Sequence, residues 1–139
     1  MIILDTNVIS ETQRLVPNPK VLAWLNAQTS SNLYLTAISV GELTFGVHCL
    51  DPGVRFQRLL NSITTIIEDD FRGRILSFNN AAARMYGQQI GQARRTGITI
   101  SQADGQIAAI AMVNRGAVIA SRDWNPFHAL GMAVVNPWE

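Results

Sequence analysis

A single cysteine, Cys49, stands in the whole sequence. No intrachain disulfide can form, and a cysteine-based zinc site is excluded. Lysine is as scarce: Lys20 is the only one, the other ten of the eleven basic residues being arginine. Chemistry that needs a second lysine is therefore out. Only two histidines exist, His48 and His128, and neither lies beside an acid of interest below. They read as packing or surface residues, and a paired imidazole acid and base is disfavoured. No apolar run approaches the roughly 18 residues of a membrane span. The start, Met1-Ile2-Ile3-Leu4-Asp5, lacks the basic segment of a signal peptide. A cytoplasmic setting is expected, with which the lone cysteine is compatible. Charged residues make up 15% of the chain, against roughly 25% in an average soluble domain. Each carboxylate is therefore more informative than usual. The net charge of +1 excludes a bulk polyanion-binding coat, while a local basic patch remains compatible.

What is present is apolar: 47% of 139 residues, enough for one core, so residues 1–139 read as one domain. Ile2-Ile3-Leu4 has the look of a buried parallel strand. A short helix is expected from Val8 to about Arg14, then a break at Pro17-Asn18-Pro19 and a helix carrying Val21, Leu22 and Leu25. Leu33 to Thr36 reads as a strand, followed by a helix from Ser39 that Asp51-Pro52-Gly53 ends. An amphipathic helix follows from Val54 to about Ile67, a strand over Ile75–Phe78, and a helix from Ala81 to about Arg95 capped by Asn80. Ser101 opens an alanine-rich helix to about Asn114, and strands are expected over Val118–Ser121 and Ala133–Val135. Strands alternating with helices imply a three-layer α/β domain, its mainly parallel five-stranded sheet covered by helices on both faces.

In open α/β sheets, ligands bind at the carboxyl edge of the strands. Asp5 ends the first strand there, Asp123 lies just past the fourth, and Glu42 is expected in the first turn of the helix after the second. The helix holding Asp104 turns back into the fourth strand at Gly116, so its start must lie near the same edge. A structural alternative exists for two of these acids. Ser39-x-x-Glu42 and Ser101-x-x-Asp104 both fit a capping box or its acidic relative. Asp5 and Asp123 can likewise stabilise turns. The convergence of all four favours a site. Two carboxylates ~5 Å apart repel by about 3 kcal/mol at an effective dielectric of 20, so four together call for protons or a cation. All-oxygen ligands suit Mg²⁺ or Mn²⁺, ions that polarise phosphodiesters and activate water. Metal-dependent phosphodiester hydrolysis is the expected chemistry.

Four stretches taken together resemble the conserved blocks of PIN-domain nucleases. They are Ile3-Leu4-Asp5-Thr6-Asn7-Val8-Ile9-Ser10, the Ser39-to-Gly46 stretch with Glu42-Leu43, Ala103-Asp104-Gly105-x-Ile107-Ala108, and Ser121-Arg122-Asp123. The likeness is to toxins of the VapC type, and the ending Val135-Asn136-Pro137-Trp138 is similar to the FitB subgroup. The resemblance implies strand order 3-2-1-4-5. It implies Asp5, Glu42 and Asp104 as central metal-binding and catalytic acids, Asp123 as a fourth, and Thr6, Asn7 and Ser121 as residues that orient them. It also implies an RNA substrate, Mg²⁺ or Mn²⁺ as cofactor, a homodimer, and a VapB- or FitA-like antitoxin in a hetero-oligomer, operator DNA being bound only through that antitoxin. Phe78-Asn79-Asn80 lacks an acid that relatives often carry after the third strand, and Ser121 stands where threonine is commoner.

Arg122, Arg94, Arg95 and Arg84 are candidates to contact RNA phosphates, or else solvated arginines that favour a helix dipole. Tyr34, Phe45, Phe56, Phe71, Phe78 and Trp24 read as packing, some of them against a dimer partner. A base-stacking platform on a sheet face is not expected, since both faces are covered. The expected activity is that of an endoribonuclease toxin that leaves a 5′-phosphate and a 3′-hydroxyl. The alternative is a non-catalytic toxin-like subunit that acts with an antitoxin in operator DNA binding. An aspartyl-phosphate receiver is disfavoured by the single Asp5 after the first strand, and an Asp-x-Asp phosphatase by Asn7.

Overall fold

The computed structural model describes residues 1–139. Ile2–Leu4 forms strand β1, and the two-residue period of a strand sends its side chains to opposite faces. Leu4 joins a cluster that holds Leu33, Leu35 and Ala120 from neighbouring strands. Ile3 joins a second cluster with Ile119. One apolar strand thus seeds two cores, one on each side of the sheet.

The other strands are β2 (Leu33–Thr36), β3 (Ile75–Leu76), β4 (Val118–Ala120) and β5 (Val134–Val135). All pair in parallel, in the order β3-β2-β1-β4-β5. Ile2 is in register with both Leu33 and Val118, and Leu4 with Ala120. The order reverses beside β1, so the crevice at a topological switch point opens between β1 and β4.

The first core is closed by helices α1 (Thr6–Thr12), α2 (Pro19–Asn26), α3 (Ala37–His48) and α4 (Val54–Thr65), through Val8, Ile9, Val21, Leu43, Val47 and Ile63. Helices α6 (Gln102–Val113) and α7 (Asn125–Ala129) close the second, through Ile107, Ala108, Ala111 and Phe127. Helix α5 (Asn80–Arg95) lies against α6 at Gly105, where a Cβ would stand 2.9 Å from both Ile90 and the Tyr86 ring. Only glycine permits that approach, and it places the start of α6, with Asp104, close under α5. No helix is long and apolar enough to cross a membrane.

Several boundaries differ from the sequence expectation, each for a local reason. Helix α1 starts at Thr6, not Val8, because the Asp5 side chain caps it by accepting from the Thr6 amide. Helix α3 starts at Ala37 because Thr36 is its cap, accepting at 3.1 Å from the Ser39 amide. Asn79, not Asn80, caps α5. Helix α4 gives way to a π-helical turn over Ile66–Asp70. Strand β3 stops at Leu76 and β4 at Ala120, one residue before Ser121. Helix α7 has no counterpart in the sequence reading.

Candidate metal centre

Asp5 lies where β1 becomes α1, and its amide donates to the Ala120 carbonyl at 2.9 Å, extending the β1–β4 ladder by one bond. That fixes the residue at the switch point. Its side chain is only 6% exposed and accepts three hydrogen bonds. Oδ1 takes the Thr6 amide at 2.8 Å. Oδ2 takes the Ser121 hydroxyl at 2.7 Å and the Asn7 side-chain amide at 2.8 Å.

Ser121, fully buried just past β4, ties this acid to the next loop. Its Oγ accepts from the Asp123 amide and from Asn7 Nδ2, both at 3.1 Å. The Asn7 Oδ1 accepts in turn from the Arg122 amide at 3.3 Å. The 121–123 loop is therefore laced to the start of α1 by side chains alone.

Glu42 occupies the second turn of α3, since that helix starts earlier than its Ser39 suggested. The capping-box reading of Ser39 and Glu42 fails. Instead Glu42 Oε1 accepts from the Thr6 hydroxyl at 2.7 Å, which brings α3 to the β1–α1 junction. The Ser101 cap of α6 is as expected, accepting from the Asp104 amide at 3.2 Å, while Asp104 Oδ2 accepts the Ser101 hydroxyl at 2.8 Å. Asp104 and Asp123 line one cavity of about 350 Å³.

Electrostatics join Asp5 to Asp104 and Glu42. Burial pushes the Asp5 carboxyl up to about 6 from 3.8, against the hydrogen bonds from Ser121 and the Thr6 amide that pull it down. The charges of Asp104 and Glu42 push it further up, so both lie within reach of Asp5. No cation offsets this charge: the two ion pairs of the molecule, Arg14–Glu11 and Arg72–Asp69, involve none of the four acids. No three of the acids are grouped tightly enough to hold one metal ion as they stand. Asp5 is held by its hydrogen bonds, whereas Asp123 is exposed and Asp104 only half-buried, which leaves those side chains room to turn. Surplus negative charge, oxygen-only donors and no cationic side chain paired with any of the acids fit a hard divalent cation.

Of the four candidate arginines, Arg122 adjoins Asp123 in the chain, and its guanidinium lies 5.7 Å from the Trp138 ring. Arg84, Arg94 and Arg95 are exposed on α5 and make no ion pair. The loop that follows Arg94 and Arg95 supplies Ile98, Thr99 and Ile100 to the wall of the Asp104–Asp123 cavity.

Sequence reasoning missed two residues. Glu11, buried in α1, accepts from the Asn18 amide at 2.8 Å and pairs with Arg14 at 3.4 Å. Those contacts hold its carboxyl below the usual value, with Arg122 adding to the effect. No local pattern signals it, because its main partner is a loop amide. Phe45, read from the sequence with the other aromatics as packing, some of it against a dimer partner, is 72% exposed in the single chain.

Residues 2–131 match the PIN domain family. The chain is 43% identical over 139 residues to the VapC ribonuclease Y4jK of Sinorhizobium fredii, a match that covers 100% of this chain and 99% of that protein. It is 43% identical over 138 residues to Toxin FitB of Neisseria gonorrhoeae, covering 99% of each. Its fold is similar to that of a chain in the structure of FitAB bound to an IR36 DNA fragment, with a TM-score of 0.93, 42% identity and coverage of 100% of this chain and 96% of that one. Fold, switch-point acids and likeness agree: the chain belongs to the PIN-domain family, among its VapC- and FitB-like members.

Proposed function

We propose that this chain is a divalent-metal-dependent endoribonuclease acting as the toxin of a toxin–antitoxin pair. The observation that carries the reading is the buried Asp5 carboxylate, which the charges of Glu42 and Asp104 reach without any cationic side chain to offset them. Asp5, Glu42, Asp104 and Asp123 would hold Mg²⁺ or Mn²⁺. When bound, such an ion supplies Lewis acidity toward a phosphodiester and lowers the pKa of water.

The chain's own residues do the positioning. Ser121 and Asn7 fix one oxygen of Asp5 and leave its carboxylate a single orientation. Thr6 sets the reach of Glu42 across from α3, and Ser101 restrains Asp104. Such supporting contacts commonly matter 10- to 100-fold to metal affinity or rate, on the order of what their loss would cost here. Arg122, whose guanidinium lies over the Trp138 ring, would meet a substrate phosphate beside Asp123. Arg94, Arg95 and Arg84 would extend that contact along α5.

The likeness to FitB and to a FitAB assembly on DNA supports a VapB- or FitA-like antitoxin as partner. That antitoxin would carry the operator-binding surface, and the toxin would be a homodimer within the complex. The reading is tested by incubating the isolated chain with RNA and Mg²⁺ and mapping the new ends. Fragments with 5′-phosphate and 3′-hydroxyl ends, formed with Mg²⁺ or Mn²⁺ and lost on chelation, are expected. Ends with 2′,3′-cyclic phosphate would contradict it. An inert chain that still binds its antitoxin would favour the non-catalytic alternative.

A further inference from the structure

Trp124 is a large aromatic side chain left 43% exposed at the start of α7. It follows Asp123 directly in the chain. The buried Phe127 anchors α7 to the second core, whereas Trp124 belongs to neither core. Its indole meets the His128 ring edge to face across one turn of the helix, with centroids 5.2 Å apart. That contact holds the indole in one pose before anything binds, which lowers the entropy lost on binding.

The first turn of α7 divides two cavities. On one side, Asn125 and Pro126 line the cavity that Asp104 and Asp123 share. On the other, Trp124 and His128 line a cavity of about 190 Å³ with Val134, Asn136 and Glu139. A strand that lies on the metal centre and crosses the start of α7 therefore meets the indole next.

The second cavity has its own chemistry. Three of its five lining residues are polar, and neither lysine nor arginine is among them. It suits a flat uncharged ring with polar edges better than a phosphate. Asn136 donates from Nδ2 to Glu139 Oε1 at 2.8 Å and accepts from the Trp138 amide at 3.1 Å. One oxygen of Glu139 is thus anchored, while Oε2 has no partner and no cation pairs with the carboxylate. An ionised carboxylate can only accept a hydrogen bond.

Resting on the nuclease reading, we infer that Trp124 is the stacking platform for one unpaired RNA base next to the scissile phosphate, and that Glu139 favours bases with an exocyclic amine over uracil. Stacking tolerates every base, since each has a π face, so Trp124 supplies affinity. A carboxylate accepts from the amino group of cytosine but repels the carbonyl that uracil carries at the same ring position, so Glu139 supplies preference.

The test measures binding of fluorescein-labelled oligocytidylate and oligouridylate 12-mers by anisotropy, with Ca²⁺ in place of Mg²⁺ to keep them uncut. It compares wild type with Trp124→Ala, Trp124→Leu, Trp124→Phe and Glu139→Gln. Alanine and leucine are each expected to weaken binding of both RNAs about tenfold, and phenylalanine, which keeps a π face, to retain most of it. Wild type should bind the cytidine oligomer about fivefold more tightly than the uridine one. Glu139→Gln should bind the two alike, because an amide can donate as well as accept. The Mn²⁺-induced rise in melting temperature should be the same in all five proteins. Wild-type-like binding by Trp124→Leu would overturn the platform, and so would a dimer that dissociates on Trp124→Ala or a Mn²⁺ response lost in Trp124→Leu. A cytidine preference that survives in Glu139→Gln, or is absent from wild type, would overturn the role of Glu139. Failure of wild type to bind either RNA or to respond to Mn²⁺ would instead remove the nuclease reading beneath both.

Discussion

Replacing Asp5 with asparagine is expected to lower the rate of RNA cleavage about a thousandfold, a loss on the order of 4 kcal/mol of transition-state stabilisation. The substitution keeps the shape of the side chain and removes its charge. The Thr6 amide still finds a carbonyl oxygen at Oδ1. The nitrogen at the other position faces the Ser121 hydroxyl, which can rotate to accept from it, and the Asn7 amide, which must turn its oxygen inward and release the Arg122 amide. The fold is thus kept while one of the gathered oxygens loses its attraction for a dication. Asp69→Asn, which alters an exposed carboxylate paired with Arg72, is the control and should leave the rate unchanged. A loss of less than about tenfold for Asp5→Asn would remove Asp5 from the chemistry.

The same carboxylate sets the second expectation, on stability against pH in the presence of a chelator. Asp5 titrates at about 6 in the folded protein and near 3.8 otherwise. Between those values the folded chain holds a proton that the unfolded chain has released. Stability therefore falls as pH rises through that window, by about 3 kcal/mol once Asp5 is fully ionised. Glu11 acts in the opposite sense. The Asn18 amide and Arg14 lower its pKa from 4.5, so its contribution is present at neutral pH and is lost on acidification. Urea denaturation from about pH 4 to about pH 7 should show the decline in wild type and a flattened profile in Asp5→Asn. A wild-type profile that rises across the window would contradict the buried, charge-crowded setting of Asp5.

Much of this arrangement is legible in the residues because its signals are local. The run Ile2-Ile3-Leu4 ending in Asp5, the return of the chain through Gly116, and the Ser101 cap before Asp104 each declare themselves within a few positions. The misread features depend on partners far along the chain. Thr36 takes the cap of α3 although Ser39 fits the pattern equally well, because Ser39 is buried one turn inside. Glu42 then turns from a capping acid into the partner of Thr6, a contact that spans 36 residues. Glu11 answers to the Asn18 amide beyond a proline-bounded loop. Phe45 shows the converse case: composition favours burial of an aromatic ring, and only the packing of α3 reveals that no element covers it.

The four acids earn a common role only if a dication binds among them, and a titration of melting temperature with Mn²⁺ asks that directly. At about a hundredfold above Kd, linkage stabilises a one-site protein by roughly 2.7 kcal/mol. For a chain of this size that is about 10 °C. Wild type is predicted to show a saturable rise of that order, and Asp5→Asn a much smaller one. Equal responses in the two proteins, or none in either, would contradict the account.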